Sequence, residues 1–140
     1  MKKAAFFFAI LFLVGSKAYS QTITVTATDK PSITMKGDTI YYNGVKVTAR
    51  LAKQHARKGL YILMRAGKPG KLTACHQSKL DEMHLQLLNV AGCTANGYMM
   101  KQIRDYNYAV KVYFKTKKGI PDLNDYYRKR LAECDAPGKN

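Results

Sequence analysis

The sequence predicts an α+β domain: a small antiparallel sheet with three or four helices packed on it. Three observations support this. Alternating β-branched and aromatic runs, broken by turn residues, fill the first third of the chain after a leader. Apolar stripes at helical spacing concentrate in the second half, and one alternating run returns there. Strands first and helices later are the arrangement of α+β folds.

The leader comes first. Lys2 and Lys3 precede an apolar run, Ala4 to Val14, that is too short to span a bilayer. Ala18 and Ser20 place small residues before Gln21, as a secretory cleavage site requires. Residues 1–20 are therefore expected to be a signal peptide and residues 21–140 a single exported domain of 120 residues, long enough to bury a core. The expected location is secreted or periplasmic. No other apolar run is long enough to cross a membrane, so the processed protein is not expected to be an integral membrane protein.

The mature chain opens on "TITVTAT" (22–28), an alternating strand that ends before Pro31. This heptad resembles the TonB box, an extended segment near the N-terminus of outer-membrane receptors that pairs with a periplasmic partner by strand addition. The resemblance covers seven residues and implies a possible protein partner at residues 21–28. The remaining chain is too short for the plug and barrel of such a receptor. An ordinary edge strand has the same composition.

"SITMKGDTIYYNGVKVTA" (32–49) resumes the alternation, with turns at Gly37-Asp38 and Asn43-Gly44; Asn-Gly favours a type I′ hairpin. Residues 50–59 read as a short helix stopped at Gly59, with Arg50, Lys53, Gln54 and Arg57 on one face and Leu51, Ala52, His55 and Ala56 on the other. "LYILM" (60–64) reads as a buried strand, followed by a basic loop. A helix capped by Ser78 is expected over 78–91, and another over 94–105. The alternation of Tyr108, Val110, Val112 and Phe114 with Lys111 and Lys115 predicts a strand over 108–115. Pro121 and Asp122 open a last helix with the stripe Leu123, Tyr126, Tyr127, Leu131 and Cys134, and Arg130 falls within its angular range.

Cys75, Cys93 and Cys134 are an odd number in a chain expected to meet an oxidising compartment, so one disulfide and one spare thiol are expected. A helix over 78–91 would hold Cys75 and Cys93 roughly 18 Å apart, well beyond disulfide reach. Cys134 is thus the favoured partner, with Cys93 ahead of Cys75.

The formal charge is +15; the leader carries Lys2, Lys3 and Lys17 and no acid, so the exported chain keeps +12. Such a surface favours anionic partners. The expected function is non-covalent binding of an envelope polymer, sulfated glycan, nucleic acid or acidic protein. Basic residues cluster at Arg50/Lys53/Arg57/Lys58, at Arg65/Lys68/Lys71, and at Lys115/Lys117/Lys118 with Arg128/Lys129/Arg130. Arg50, Lys53, Arg57, Lys68, Lys71 and Arg130 are the candidate anion-binding residues.

Two rival functions remain. A secreted hydrolase such as a nuclease would need a base, an acid and a cation; His55, His76, Glu82, Lys53 and Arg57 offer the types without a recognised spacing. An accessory or inhibitor protein would dock through its N-terminal strand. No catalytic motif, metal-ligand spacing or nucleotide loop is present, so no catalytic residue, metal or cofactor is assigned. His84 lies on an apolar stripe, where a satisfied core role is expected.

Overall fold

The computed structural model describes residues 30–136. The expected leader and the strand at 21–28 lie outside the described residues. From Pro31 onward the chain forms one unit.

The alternating run at 32–49 folds as expected. Strands β1 (Ile33–Lys36), β2 (Thr39–Tyr42) and β3 (Val45–Lys46) form an antiparallel meander in that order. Asn43 and Gly44 both take left-handed backbone angles, φ 48° and 77°, which the Asn-Gly pair tolerates. The Asn43 side chain also accepts from the Ser32 amide at 2.7 Å, tying the turn to the head of β1. Ile40 and Tyr42 point into the core.

Helix α1 (Ala49–Arg57) follows, with Thr48 accepting from the Leu51 amide as its N-cap. Its two faces separate as the sequence indicates: Leu51, Ala52 and Ala56 are buried, while Arg50, Lys53 and Arg57 face solvent. Strand β4 (Tyr61–Ala66) is buried over its first four residues.

Two elements differ from expectation. Residues 78–91 are not one helix. Helix α2 spans Ala74–Glu82, and strand β5 spans Leu85–Ala91. The N-cap is Thr73 rather than Ser78: its hydroxyl accepts from the His76 amide, and His76 Nδ1 accepts from the Thr73 amide. The chain reverses at His84, which has φ 53°, and is exposed rather than buried in a core stripe. β5 then pairs in parallel with β4, from Tyr61 opposite Leu85 to Arg65 opposite Asn89. A buried β4 backbone needs a hydrogen-bonding neighbour, and that demand overrides the local helical spacing of Leu80, Met83 and Leu87.

The second difference is that the helix expected over 94–105 and the strand expected over 108–115 are parts of one helix, which begins at Gly97. α3 (Gly97–Lys118) is 22 residues long, capped by the Asn96 side chain and ended by Gly119 at φ 69°. Its buried positions, Met99, Gln102, Ile103, Tyr106, Ala109, Val110 and Phe114, repeat at three and four residues. The Tyr/Val alternation at 108–112 is incidental to that longer period. α4 (Leu123–Ala132) starts at Asp122, whose carboxylate accepts from the Asn124 and Asp125 amides. The domain is thus α+β, with a small three-stranded antiparallel sheet, a parallel pair and four helices.

α3 connects the two sheets through side-chain amides. Gln102 is buried; its Oε1 accepts from the Ile40 amide at 3.1 Å and its Nε2 donates to the Val47 carbonyl. One turn further on, Asn107 takes both polar groups of Met64, accepting from its N–H and donating to its C=O, each at 2.8 Å. Asn107 therefore occupies the place of a further strand beside β4. No helix among the described residues is long and apolar enough to cross a membrane.

The disulfide joins Cys75 to Cys134, not Cys93 to Cys134; Cys93 is an exposed free thiol. Cys134 is a bridge partner as expected, and its mate is Cys75 rather than Cys93. Cys75 lies in the first turn of α2, which packs against α4, and its Cα is 5.9 Å from that of Cys134. Reaching Cys134 needs no chain reversal. The bridge closes a loop across a separation of 59 residues, which chain-entropy reasoning values at about 3–4 kcal/mol. Cys75→Ser and Cys134→Ser should each lower unfolding stability by that order, and Cys93→Ser by under about 0.5 kcal/mol. Chemical denaturation of the three variants checks this. Equal losses for Cys93→Ser and Cys134→Ser would point to the other pairing.

Candidate anion-binding surface

The charges are sorted by element. Every carboxylate among the described residues has a partner. Asp122 caps α4, Asp38 accepts from Asn96, and Asp81 accepts from Gln77. Asp105 pairs with Lys101 and Asp125 with Lys129. Glu82 and Glu133 share Lys79 and Arg130, and Asp135 meets His76 Nε2 at 3.1 Å. The Lys79 and Arg130 side chains hold the Glu133 carboxyl below the usual carboxylate range.

α1 has no such compensation. Among the described residues, Arg50, Lys53, Arg57 and Lys58 form no ion pair with a carboxylate. Lys53 and Arg57, one turn apart, rise over a cleft of about 140 Å³ between α1 and α3. Its floor is Ala109, Val112 and Tyr113, and Thr116 and Lys117 close the far side. Lys117 Nζ sits 5.9 Å from the centre of the Tyr113 ring, so that aromatic face is already covered by a cation. Arg57 also lines a second, larger cleft of about 490 Å³ with Tyr42, Asn43, Val45, Gln54 and His55. The two clefts flank α1 and share Arg57.

The relative placement of α1 and α3 is fixed beneath these clefts. His55 Nδ1 and the Tyr106 hydroxyl are hydrogen-bonded at 2.7 Å, and the Tyr42 ring stands edge-on to His55 with centroids 4.8 Å apart. Tyr106 is fully buried. Burial, with Lys58 adding to it, pushes the His55 imidazole below its ordinary value. Burial, with a contribution from Tyr42, pushes the Tyr106 hydroxyl well above its own. Both groups are neutral at pH 7.

The structure brings Lys53 and Arg57 together, with Arg50 one turn before them on the exposed face of α1. Lys68 and Lys71 are exposed on the loop between β4 and α2 and line neither cleft. Arg130 lies on α4 with its guanidinium 2.7 Å from Glu82 and 3.1 Å from Glu133. Lys117 is the cation that sequence reasoning did not select. Reading 108–115 as a strand concealed that Lys117 belongs to the helix packed against α1. Of the residue types considered for hydrolysis, His55 and Arg57 line one cleft but the His55 Nδ1 is engaged by Tyr106, while His76 is held by Thr73 and Asp135, and Glu82 by Lys79 and Arg130. What Lys53, Arg57 and Lys117 can do together is hold a phosphate or sulfate group over an apolar floor.

No protein-family model, curated protein or solved structure matches this chain.

The sign of the pH dependence follows from His55. Its folded value is lowered, so below about pH 6.5 the unfolded chain takes up a proton that the folded chain resists. Stability from this group is present above the unfolded value and is lost as pH falls through the folded one. His55→Gln should flatten the stability–pH curve on the acid side of pH 6.5. It should also cost about 1–3 kcal/mol at pH 7, where Tyr106 loses its partner. Denaturant unfolding of both proteins between pH 7 and pH 4.5 measures both effects; an unchanged slope would remove His55 as the titrating group.

Proposed function

We propose that this protein binds an anionic polymer non-covalently, outside the cytoplasm, through the surface formed by α1 and the second half of α3. The observation that carries this reading is the segregation of charge. Lys79, Lys129 and Arg130 on α2 and α4 each meet a carboxylate, whereas Lys53, Arg57 and Lys117 surround one cleft and have no carboxylate partner among the described residues. Exposed surface pairs add little to stability, so unpaired cations on a shared groove cost the fold little and remain available to a ligand. Arg50 and Lys58 extend the same basic surface along α1. The disulfide supports an extracellular setting. The hydrolase reading receives less support, because His76 and Glu82 are each held by other residues.

Binding of this kind is dominated by counterion release. Affinity for RNA, DNA, lipopolysaccharide or a sulfated glycan should fall log-linearly with salt. Replacing Lys53, Arg57 and Lys117 by Ala should reduce that slope by about 2–3 and weaken binding at least tenfold at low salt, by the general slope of about 0.9 per phosphate contact. Fluorescence-anisotropy titration at several salt concentrations provides the readout. Affinity indifferent to salt, or unchanged in the triple variant, would overturn the assignment.

A further inference from the structure

Helix α3 has an outer face, opposite Tyr106 and Val110, that the core does not use. Seven large apolar side chains stand exposed among the described residues, and four of them, Tyr98, Met100, Tyr108 and Val112, lie on this one helix. Tyr108 is 69% exposed and Val112 is 46% exposed. Scattered exposed apolar residues need no explanation, but Met100, Tyr108 and Val112 share one side of the helix. The spacing Met100, Arg104, Tyr108, Lys111, Val112, Lys115 keeps all six on the side opposite Tyr106 and Val110. Apolar bodies and long cations therefore alternate along the same line.

The charge of that line is one-sided. α3 carries Lys101, Arg104, Lys111, Lys115, Lys117 and Lys118 against a single acid, Asp105, which is taken by Lys101 at 2.6 Å. The carboxylate beyond its C-terminal half, Asp122, is engaged in capping α4. Val112 also borders the cleft held by Lys53, Arg57 and Lys117, so the stripe runs directly into the cationic groove. At 22 residues the helix is about 33 Å long, enough to lie along a surface rather than to contact it at one point.

We infer that α3 lies with its outer face on an anionic lipid surface, Met100 and Tyr108 entering the interface while Lys111, Lys115 and the groove cations hold lipid phosphates. This rests on the polyanion reading and names its partner class. Membrane-surface helices combine these two features, apolar side chains flanked by Lys and Arg, and neither feature suffices alone at physiological salt. A nucleic acid fits this face less well. The aromatic faces of Tyr98 and Tyr113 beside the stripe are already covered by Lys46 and Lys117, which leaves few free stacking platforms.

The test uses the protein as the producing cell processes it, in the wild-type form and as Met100→Ser/Tyr108→Ser. Both replaced side chains are exposed, and circular dichroism confirms the fold. Co-sedimentation with phosphatidylcholine vesicles, with and without phosphatidylglycerol, is measured beside binding of soluble dextran sulfate. The expected result is wild-type partitioning only onto the phosphatidylglycerol vesicles. The double variant should lose about tenfold in vesicle partitioning, from the lost apolar burial, while its dextran sulfate affinity is unchanged. Equal vesicle binding by the two proteins, or dextran sulfate binding by a wild type that ignores vesicles, would overturn the lipid assignment and leave the polyanion reading standing. Binding to neither vesicles nor dextran sulfate would overturn both.

Discussion

The fold depends on two side-chain amides of α3, those of Gln102 and Asn107. The meander and the parallel pair are separate sheets, and a pair of parallel strands has little stability by itself. Gln102 supplies the hydrogen bonds that Ile40 and Val47 would otherwise lack, and Asn107 does the same for Met64. An unpaired buried backbone group costs about 1–3 kcal/mol, so each amide holds its strand at a defined height on the helix. Apolar contacts such as Tyr61 against Phe114, edge to face at 4.8 Å, fill the space between. Without α3 the sheets would have no common support.

The charge arrangement follows from the same brace. α2 and α4 are stapled by Cys75–Cys134 and face each other across Lys79, Glu82, Arg130 and Glu133. That cluster is nearly neutral and partly exposed, so it orders the helix pair more than it stabilises it. α1 and the loop after β4 carry cations and no acid, and α3 carries six cations against Asp105 alone. A uniformly dispersed charge of this size would serve solubility equally well; the sorting by element is what singles out one surface.

Much of this was legible in the sequence, and the failures share one cause. The meander, its Asn-Gly turn, α1 and α4 were readable because each is set by local signals: turn residues, a Thr or Asp cap, a stripe of one period. The boundary at His84 was not, because Leu80, Met83 and Leu87 keep helical spacing across it while β5 is formed by its partner β4. Likewise Tyr108, Val110 and Val112 satisfy a two-residue period and a helical one together, and only the longer series from Met99 to Phe114 separates them. The second misreading reached the site, because it hid that Lys117 faces Lys53 and Arg57 across one cleft. No sequence signal announced the His55–Tyr106 contact, which joins residues 51 positions apart.

That contact also explains why the cations of α1 form a better binding surface than equal charge elsewhere. Long basic side chains lose rotamer freedom when they grip a ligand, and a mobile backbone adds to the loss. Lys68 and Lys71 lie on a loop between Gly67 and Thr73 that contains Pro69 and Gly70, outside any helix or strand. Lys53 and Arg57 instead project from a helix clamped to α3 by the neutral His55–Tyr106 pair and by the packing of Leu51, Ala52 and Ala56. Their Cα positions relative to Lys117 are therefore set before any ligand arrives, and only side-chain ordering is left to oppose binding. The neutrality of His55 matters here too. A protonated imidazole under that cleft would repel Lys58 and weaken the burial that holds α1 in place, so the buried pair keeps the surface both cationic and rigid at neutral pH.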